Sequence, residues 1–231
     1  MKAALSILLA AAGFAGAAKV GYLRVENPAG IAHIWYPTDS PREPESRRYL
    51  PLPVTKSISV VESAELAAGA RPLVLLSHGI LGLATSYSWL AHRMAAAGAV
   101  VLSPEHKAQS RADLEEAELF RFYRRPTTLS AHLDWILADK RFAGILDTAR
   151  IFVVGHSVGG HSALLLAGAR YDLDVVLERG RSQSQRDRLA ARMAKAYAKT
   201  PPSAEDRAAN GLGYRDLRIR RAVLLDPVPI Y

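Results

Sequence analysis

RIFVVGHSVGGHSALLLAGAR, residues 150–170, is the stretch on which the fold turns. Ile151 to Val154 is a short run of β-branched and aromatic residues closed by Gly155, the pattern of a fully buried strand. Ala163 to Ala169 is small and aliphatic, mostly good helix formers. Between them stands Gly155-His156-Ser157-Val158-Gly159, a G-x-S-x-G. A strand-to-helix turn this tight leaves no room for a Cβ at either flank, and it lifts the Ser157 hydroxyl clear of the sheet. The backbone N–H groups beside it open a helix N-terminus, where negative charge is favoured. The plainer alternative is the glycine-rich turn of a nucleotide-binding unit. It lacks support, since neither G-x-G-x-x-G nor G-x-x-x-x-G-K is present.

Upstream, Pro72 to Ser77 is a nearly unbroken apolar run, a central parallel strand. It feeds His78-Gly79-Ile80-Leu81-Gly82. Tyr87 to Ala97 carries Leu90, Met94 and Ala97 at helical spacing and ends at Gly98. Ala99 to Leu102 is the next strand, stopped by Ser103-Pro104, with Glu105-His106 opening the loop beyond. Arg111 to Arg125 is charged and reads as a helix broken by Pro126. Thr128 to Lys140 is an amphipathic helix leading into the serine-bearing strand. Nearer the start, Val20 to Val25 and Ile31 to Trp35 flank the turn cluster Glu26-Asn27-Pro28-Ala29-Gly30, a hairpin expected at one edge of the sheet. Thr38 to Lys56 reads as a surface loop, and Ile58 to Ala68 is ambiguous, part of it a candidate short helix.

After Tyr171 charges of both signs scatter without a period. Arg186 to Lys199 is alanine- and arginine-rich and reads as a helix ending before Pro201-Pro202. This segment, 175–215, is either an insertion that caps the site or a surface excursion. Ile219 to Leu225 is the last strand, ending at Asp226-Pro227. Alternating strands and helices predict an α/β fold, a mostly parallel sheet with helices on both faces. Ligands of such sheets sit at the C-terminal strand ends, where His78, Glu105, Ser157 and Asp226 all fall.

A serine attacks only when a base takes its proton, and the attacked carbonyl then needs backbone donors for its oxyanion. The N–H of Val158 follows the nucleophile, and a second donor is expected at Ile80, in the loop after Ser77. His78-Gly79 is otherwise simply a tight turn.

At these residues the chain resembles a known family. Leu73 to His106, the elbow GHSVGG and the strand end LLDP resemble the platelet-activating-factor acetylhydrolase-like and predicted dienelactone-hydrolase-like branch of the α/β-hydrolases. The resemblance implies the α/β-hydrolase fold and ester hydrolysis through an acyl-serine intermediate, on a small-molecule or lipid ester. It makes Ser157 the nucleophile, Ile80 and Val158 the oxyanion positions, with Gly155, His156, Gly159, His78 and Gly79 as the surrounding motif, and Asp226 the triad acid. The expected order of such a triad is Ser, Asp, His. The seven histidines are His33, His78, His92, His106, His132, His156 and His161, all before Asp226. The expectation is therefore a hydrolase domain, 19–231, whose C-terminal strands and catalytic histidine lie outside the sequence. The alternative is a hydrolase-fold protein that binds without turnover.

The bulk properties agree with one α/β domain. The chain has 231 residues, 49% hydrophobic and 23% charged, with a formal charge of +8 and no cysteine. Its arginines gather between Arg179 and Arg221, mixed with acids and alanines, and no run of basic residues is interleaved with aromatics, which favours a solvated positive face over nucleic-acid binding. No H-E-x-x-H or cysteine cluster suggests a metal, and no cofactor is implied. Lys2, the apolar Ala3 to Gly13 and Ala15-Gly16-Ala17 read as a signal peptide over 1–18, too short for a stable membrane span. Its expected outcome is a secreted or periplasmic protein.

Overall fold

A computed structural model describes residues 18–49, 57–182 and 188–227. All but the last residue of the expected signal peptide lies outside them. The chain divides into two compact units. One holds residues up to Leu76, Ala84–Glu105 and Ala131–Phe152; the other holds Ser77–Leu83, His106–Ser130 and Val153 onward.

The first unit is built on a mixed sheet. β1 (Lys19–Asn27) and β2 (Gly30–Thr38) form the expected hairpin, antiparallel and in register from Lys19↔Thr38 to Asn27↔Gly30. Its turn closes as the sequence suggests: the Ala29 N–H donates to Asn27 Oδ1 at 2.9 Å, and Gly30 takes φ +121°. The hairpin is not at the sheet edge. β4 (Ile58–Glu62) pairs with β1 in parallel, and β3 (Glu45–Arg47) pairs with β4 beyond it. Ile58, Val60 and Val61 are β-branched, which settles that ambiguous segment as strand rather than helix. The three-residue β3, carrying Glu45 and Arg47, is a short charged edge of the kind that discourages further pairing. β5 (Arg71–Ser77) and β6 (Val100–Pro104) are parallel, and β6 is antiparallel to β2. The order is β3-β4-β1-β2-β6-β5, followed by the first half of β7 (Leu146–Ser157). Leu73, Leu75, Val100, Val101 and Leu102 are fully buried, as strands covered on both faces require. α1 (Ser88–Ala96) packs Leu90, Ala91, Met94 and Ala95 inward.

The second unit carries the end of β7, then α3 (Val158–Ala167), then the adjacent β8 (Arg221–Pro227). α2 (Arg124–Ala138) begins in this unit and ends in the first. Two expectations change here. Arg111 to Arg125 is not one helix: up to Tyr123 it is turns around one 3₁₀ segment, Glu116–Leu119, and only Arg124 and Arg125 are helical, as the start of α2. Asp113 explains part of this, because its carboxylate accepts from the backbone of Ala108 and Ser110 at 2.7 and 3.3 Å and competes with helical bonding. Pro126 does not end a helix but sits in the first turn of α2, where its missing N–H has no carbonyl to bond.

The segment 175–215 contains most of α4 (Leu173–Ser182), α5 (Arg188–Lys199) and α6 (Ala204–Ala208). The helix read over Arg186 to Lys199 is α5. These helices are not a loose excursion. Leu173, Leu177 and Ala209 share a buried cluster with Phe120, Phe122, Tyr123, Val158, Leu165 and Tyr171, with Met193 and Tyr197 packed against it. Asp206 anchors the segment from a fully buried position. It accepts from Arg121 Nε at 2.8 Å, from the Tyr123 hydroxyl at 2.8 Å and from the Ser203 N–H at 2.7 Å, closing a capping box at α6.

Candidate active site

The turn at Ser157 has the geometry that G-x-S-x-G predicts. Ser157 takes φ +55° and ψ −120°, between the end of β7 and the first residue of α3. A non-glycine residue adopts such a conformation only when its surroundings enforce it. The glycines show how. A Cβ on Gly155 would lie 2.0 Å from the Gly159 carbonyl oxygen, and one on Gly159 would lie 2.2 Å from that of Ser77. Strand, turn and helix therefore close on one another with no space for a methyl group at either flank.

The loop after β5 runs against this elbow. A Cβ on Gly79 would sit 3.2 Å from Ser157 Cβ and 3.2 Å from His156 Nδ1. Ile80, half-buried, packs on the cluster that contains Val158, so the two residues expected to donate to an oxyanion share one wall. Val158 is fully buried; its side chain anchors α3 while its N–H belongs to the first turn of that helix. Asp226 is exposed at the end of β8 with φ +45°. That strand end meets the same helix turn: a Cβ on Gly160 would lie 3.0 Å from Pro227 Cβ.

The histidines of this unit are tied to the loop and the helix. His78 is fully buried, its Nδ1 2.7 Å from the Gly79 carbonyl, which assigns the proton to Nδ1. Burial, reinforced by Arg125, lowers it to about 3. His106 Nε2 lies 2.9 Å from Ser77 Oγ, and its ring centroid is 4.9 Å from that of His78. His161, on α3, is buried between Phe122 and Tyr171 and lowered to about 4 by burial and Arg125. His156 adjoins Ser157 in the same unit, and the first unit holds the remaining three: His33 against the Tyr22 hydroxyl at 2.6 Å, His132 against Asn27 at 3.2 Å, and His92 against the Ser59 carbonyl at 2.9 Å. A base that protonates only near pH 3 or 4 is a weak acceptor for a serine proton, which counts against His78 and His161.

Sequence reasoning missed one residue. Arg125, read only as the end of a charged segment, is 1% exposed. Its Nε donates to Gln109 Oε1 at 2.5 Å, its Nη1 to the His78 carbonyl, and its Nη2 to the Gly79 carbonyl at 3.5 Å. Burial lowers it to about 9, which leaves it charged at neutral pH. Arg125 and Gln109 also line a cavity of about 340 Å³ with His106, Glu118, Arg124 and Thr128. A buried arginine has no local sequence mark; only the preceding aromatic pair Phe122-Tyr123 hinted that this loop turns inward.

Among the described residues no group of three or more His, Cys, Asp or Glu side chains is placed to hold a metal, and no helix is long and apolar enough to cross a membrane. Sequence comparison with known proteins points one way. Residues 52–116 match the family model of platelet-activating factor acetylhydrolase, isoform II. The chain is 32% identical over 106 residues to "Cutinase est2" of Thermobifida alba, and to "Cutinase 2" of Thermobifida cellulosilytica at the same identity and length. Those matches cover 45% of this chain and 32% and 37% of the two cutinases, about a third of their length. Among solved structures, a ferulic acid esterase from Streptomyces cinnamoneus is similar at a TM-score of 0.49 and 24% identity, over 63% of this chain and 54% of that one.

Proposed function

We propose that this chain, which is similar over part of its length to acetylhydrolase and cutinase sequences, is a serine hydrolase that cleaves carboxylic esters through an acyl-enzyme on Ser157. The observation that carries this reading is Ser157 itself, held at φ +55° on a strand-to-helix turn with the Gly79–Ile80 loop packed against it. Ser157 Oγ attacks the ester carbonyl as its proton passes to the base, and the carbonyl oxygen becomes an oxyanion. The N–H groups of Val158 and Ile80 donate to it, and the N-terminus of α3 adds its dipole. The tetrahedral intermediate collapses, the alcohol leaves with the proton held by the base, and water, giving a proton to the same base, then attacks the acyl-serine and releases the acid as that proton returns to Ser157 Oγ. Asp226 is the acid that orients the base. The base is a histidine, a role for which neither His78 nor His161 is suited.

The substrate is a small-molecule or lipid ester. The cutinase relatives support the ester class, and the segment 175–215, packed on the wall shared by Ile80 and Val158, forms a cap beside the site. With the leader at 1–18, the protein is secreted or periplasmic.

The test is hydrolysis of p-nitrophenyl butyrate together with labelling by a fluorophosphonate, on the full-length protein. Ser157→Ala removes labelling and lowers kcat by about 10⁴-fold or more. A Ser157→Ala variant that hydrolyses as well as the unsubstituted protein, or a serine that no fluorophosphonate reaches, overturns the reading. A hydrolase-fold binder without turnover would give the second result.

A further inference from the structure

Arg125 places a guanidinium in the interior, and none of the three partners it bonds carries a charge: the Gln109 amide and the carbonyls of His78 and Gly79. A buried cation is costly, and apolar residues of similar volume usually fill such a space at lower free energy. Packing alone is therefore a poor account of it. The two carbonyls it holds belong to the loop proposed to bind the oxyanion.

The peptide bond joins these observations. Each peptide unit is planar and trans, so the carbonyl of Gly79 and the N–H of Ile80 point in opposite directions from the same plane. The Gly79 carbonyl accepts from His78 Nδ1 at 2.7 Å, from the Gly82 N–H at 3.1 Å and from Arg125 Nη2 at 3.5 Å. The preceding carbonyl, of His78, accepts from Arg125 Nη1. Pinning both carbonyls on one side fixes the Ile80 N–H on the other. A carbonyl that accepts from a cation also polarises its amide, which makes the attached N–H a stronger donor.

We propose that Arg125 is a positioning residue for the oxyanion site: it holds the His78 and Gly79 carbonyls from behind, so that the Ile80 N–H faces the developing charge, preoriented and polarised. This rests on the reading of Ile80 as an oxyanion donor. Gln109, which accepts from Arg125 Nε, fixes the plane of the guanidinium, and its own Nε2 donates to the Arg121 carbonyl at 3.2 Å. Lysine cannot replace this function fully, because one ammonium does not present a planar fork to two successive carbonyls.

The experiment compares the full-length protein with Arg125→Met and Arg125→Lys on p-nitrophenyl butyrate and on its thiono analogue, in which sulfur replaces the carbonyl oxygen. Sulfur is a weak acceptor, so the oxo-to-thiono ratio of kcat reports on the oxyanion donors. Loss of one such donor typically costs about 10²–10³-fold; loss of its support is expected to lower kcat on the oxo ester by about 30-fold. KM stays within about twofold, the thiono rate changes little, and the ratio collapses. Arg125→Lys recovers part of the ratio. Arg125→Met that melts cooperatively and keeps kcat, or loses equally on both esters, overturns the proposal. Should Arg125→Met fail to fold, Arg125→Lys decides by the same ratio. If the unsubstituted protein neither hydrolyses the ester nor is labelled at Ser157, the hydrolase reading itself fails and this inference falls with it. Activity that depends on Ser157 but not on Arg125 removes the arginine's role alone.

Discussion

A methyl group on Gly159 would lie 2.2 Å from the Ser77 carbonyl oxygen, and 2.8 Å from that of His78. Neither neighbour is a flexible side-chain end; both are backbone, one at the end of β5 and one at the start of the loop after it. Gly159→Ala is therefore expected to destabilise the protein by roughly 3 kcal/mol or more, since overpacking that must displace backbone exceeds the usual cost of an added methylene. Thermal melting of the variant checks this, and an unchanged Tm would show that the loop gives way. At this scale the sequence was informative where chemistry is local. Gly155, Ser157 and Gly159 announce an elbow because the turn admits no other flanking residues. Gly79 announces only a tight turn, and its close approach to Ser157 is visible in the structure alone. Arg125 announces nothing, because its burial is decided by the carbonyls of His78 and Gly79, 47 and 46 positions away in the chain.

Elements were legible where hydrophobic runs are unbroken. Leu73 to Leu76 and Ile151 to Val154 are apolar on both faces and became interior strands, as runs of that length bounded by turns should. The hairpin was legible in its turn, but its place in the sheet was not, because β3 is only three residues long and lies within a loop-like sequence. Pro126 misled because a proline in the first helical turn and a proline that ends a helix look alike without the neighbouring structure. The 175–215 segment hid its anchor in the same way. Asp206 accepts from the side chains of Arg121 and Tyr123, 85 and 83 positions away, as well as from Ser203 next to it. Burial pushes its carboxyl up, yet Arg121, Ser203 and Tyr123 together bring it to about 2. Asp206→Asn turns an acceptor oxygen into an NH₂ facing donors, and is expected to cost about 3 kcal/mol. Amide hydrogen exchange over 203–214 should accelerate more than exchange in β7. Uniform acceleration would mean that α6 is not a separate anchoring point.

For the molecule as a whole, acid is the weak side. His33, His132 and His161 are lowered to about 4 and His78 to about 3, in each case first by burial. The unfolded chain protonates them near pH 6.5. Between pH 6.5 and about 4 the unfolded state therefore binds more protons than the native one, and stability falls as pH falls. Each group contributes about 1.4 kcal/mol per pH unit across that window, and the four together approach or exceed a typical net stability of about 5–15 kcal/mol. Cooperative unfolding is expected between about pH 6 and pH 4. Circular dichroism during acid titration measures it, and a fold unchanged at about pH 4 would contradict the burial of these rings. The effect resides in both units, since His33 and His132 belong to one and His78 and His161 to the other.

The positive φ of Ser157 sets a trade-off between durability and turnover. A serine at φ +55° and ψ −120° carries backbone strain of about 1–3 kcal/mol, which a glycine in the same place would largely escape. Ser157→Gly should thus be inert as a catalyst yet melt several degrees higher than the active protein. The surviving fold would tolerate more heat because it no longer has to present a hydroxyl, and the wild-type chain is by the same measure less durable than its own backbone permits.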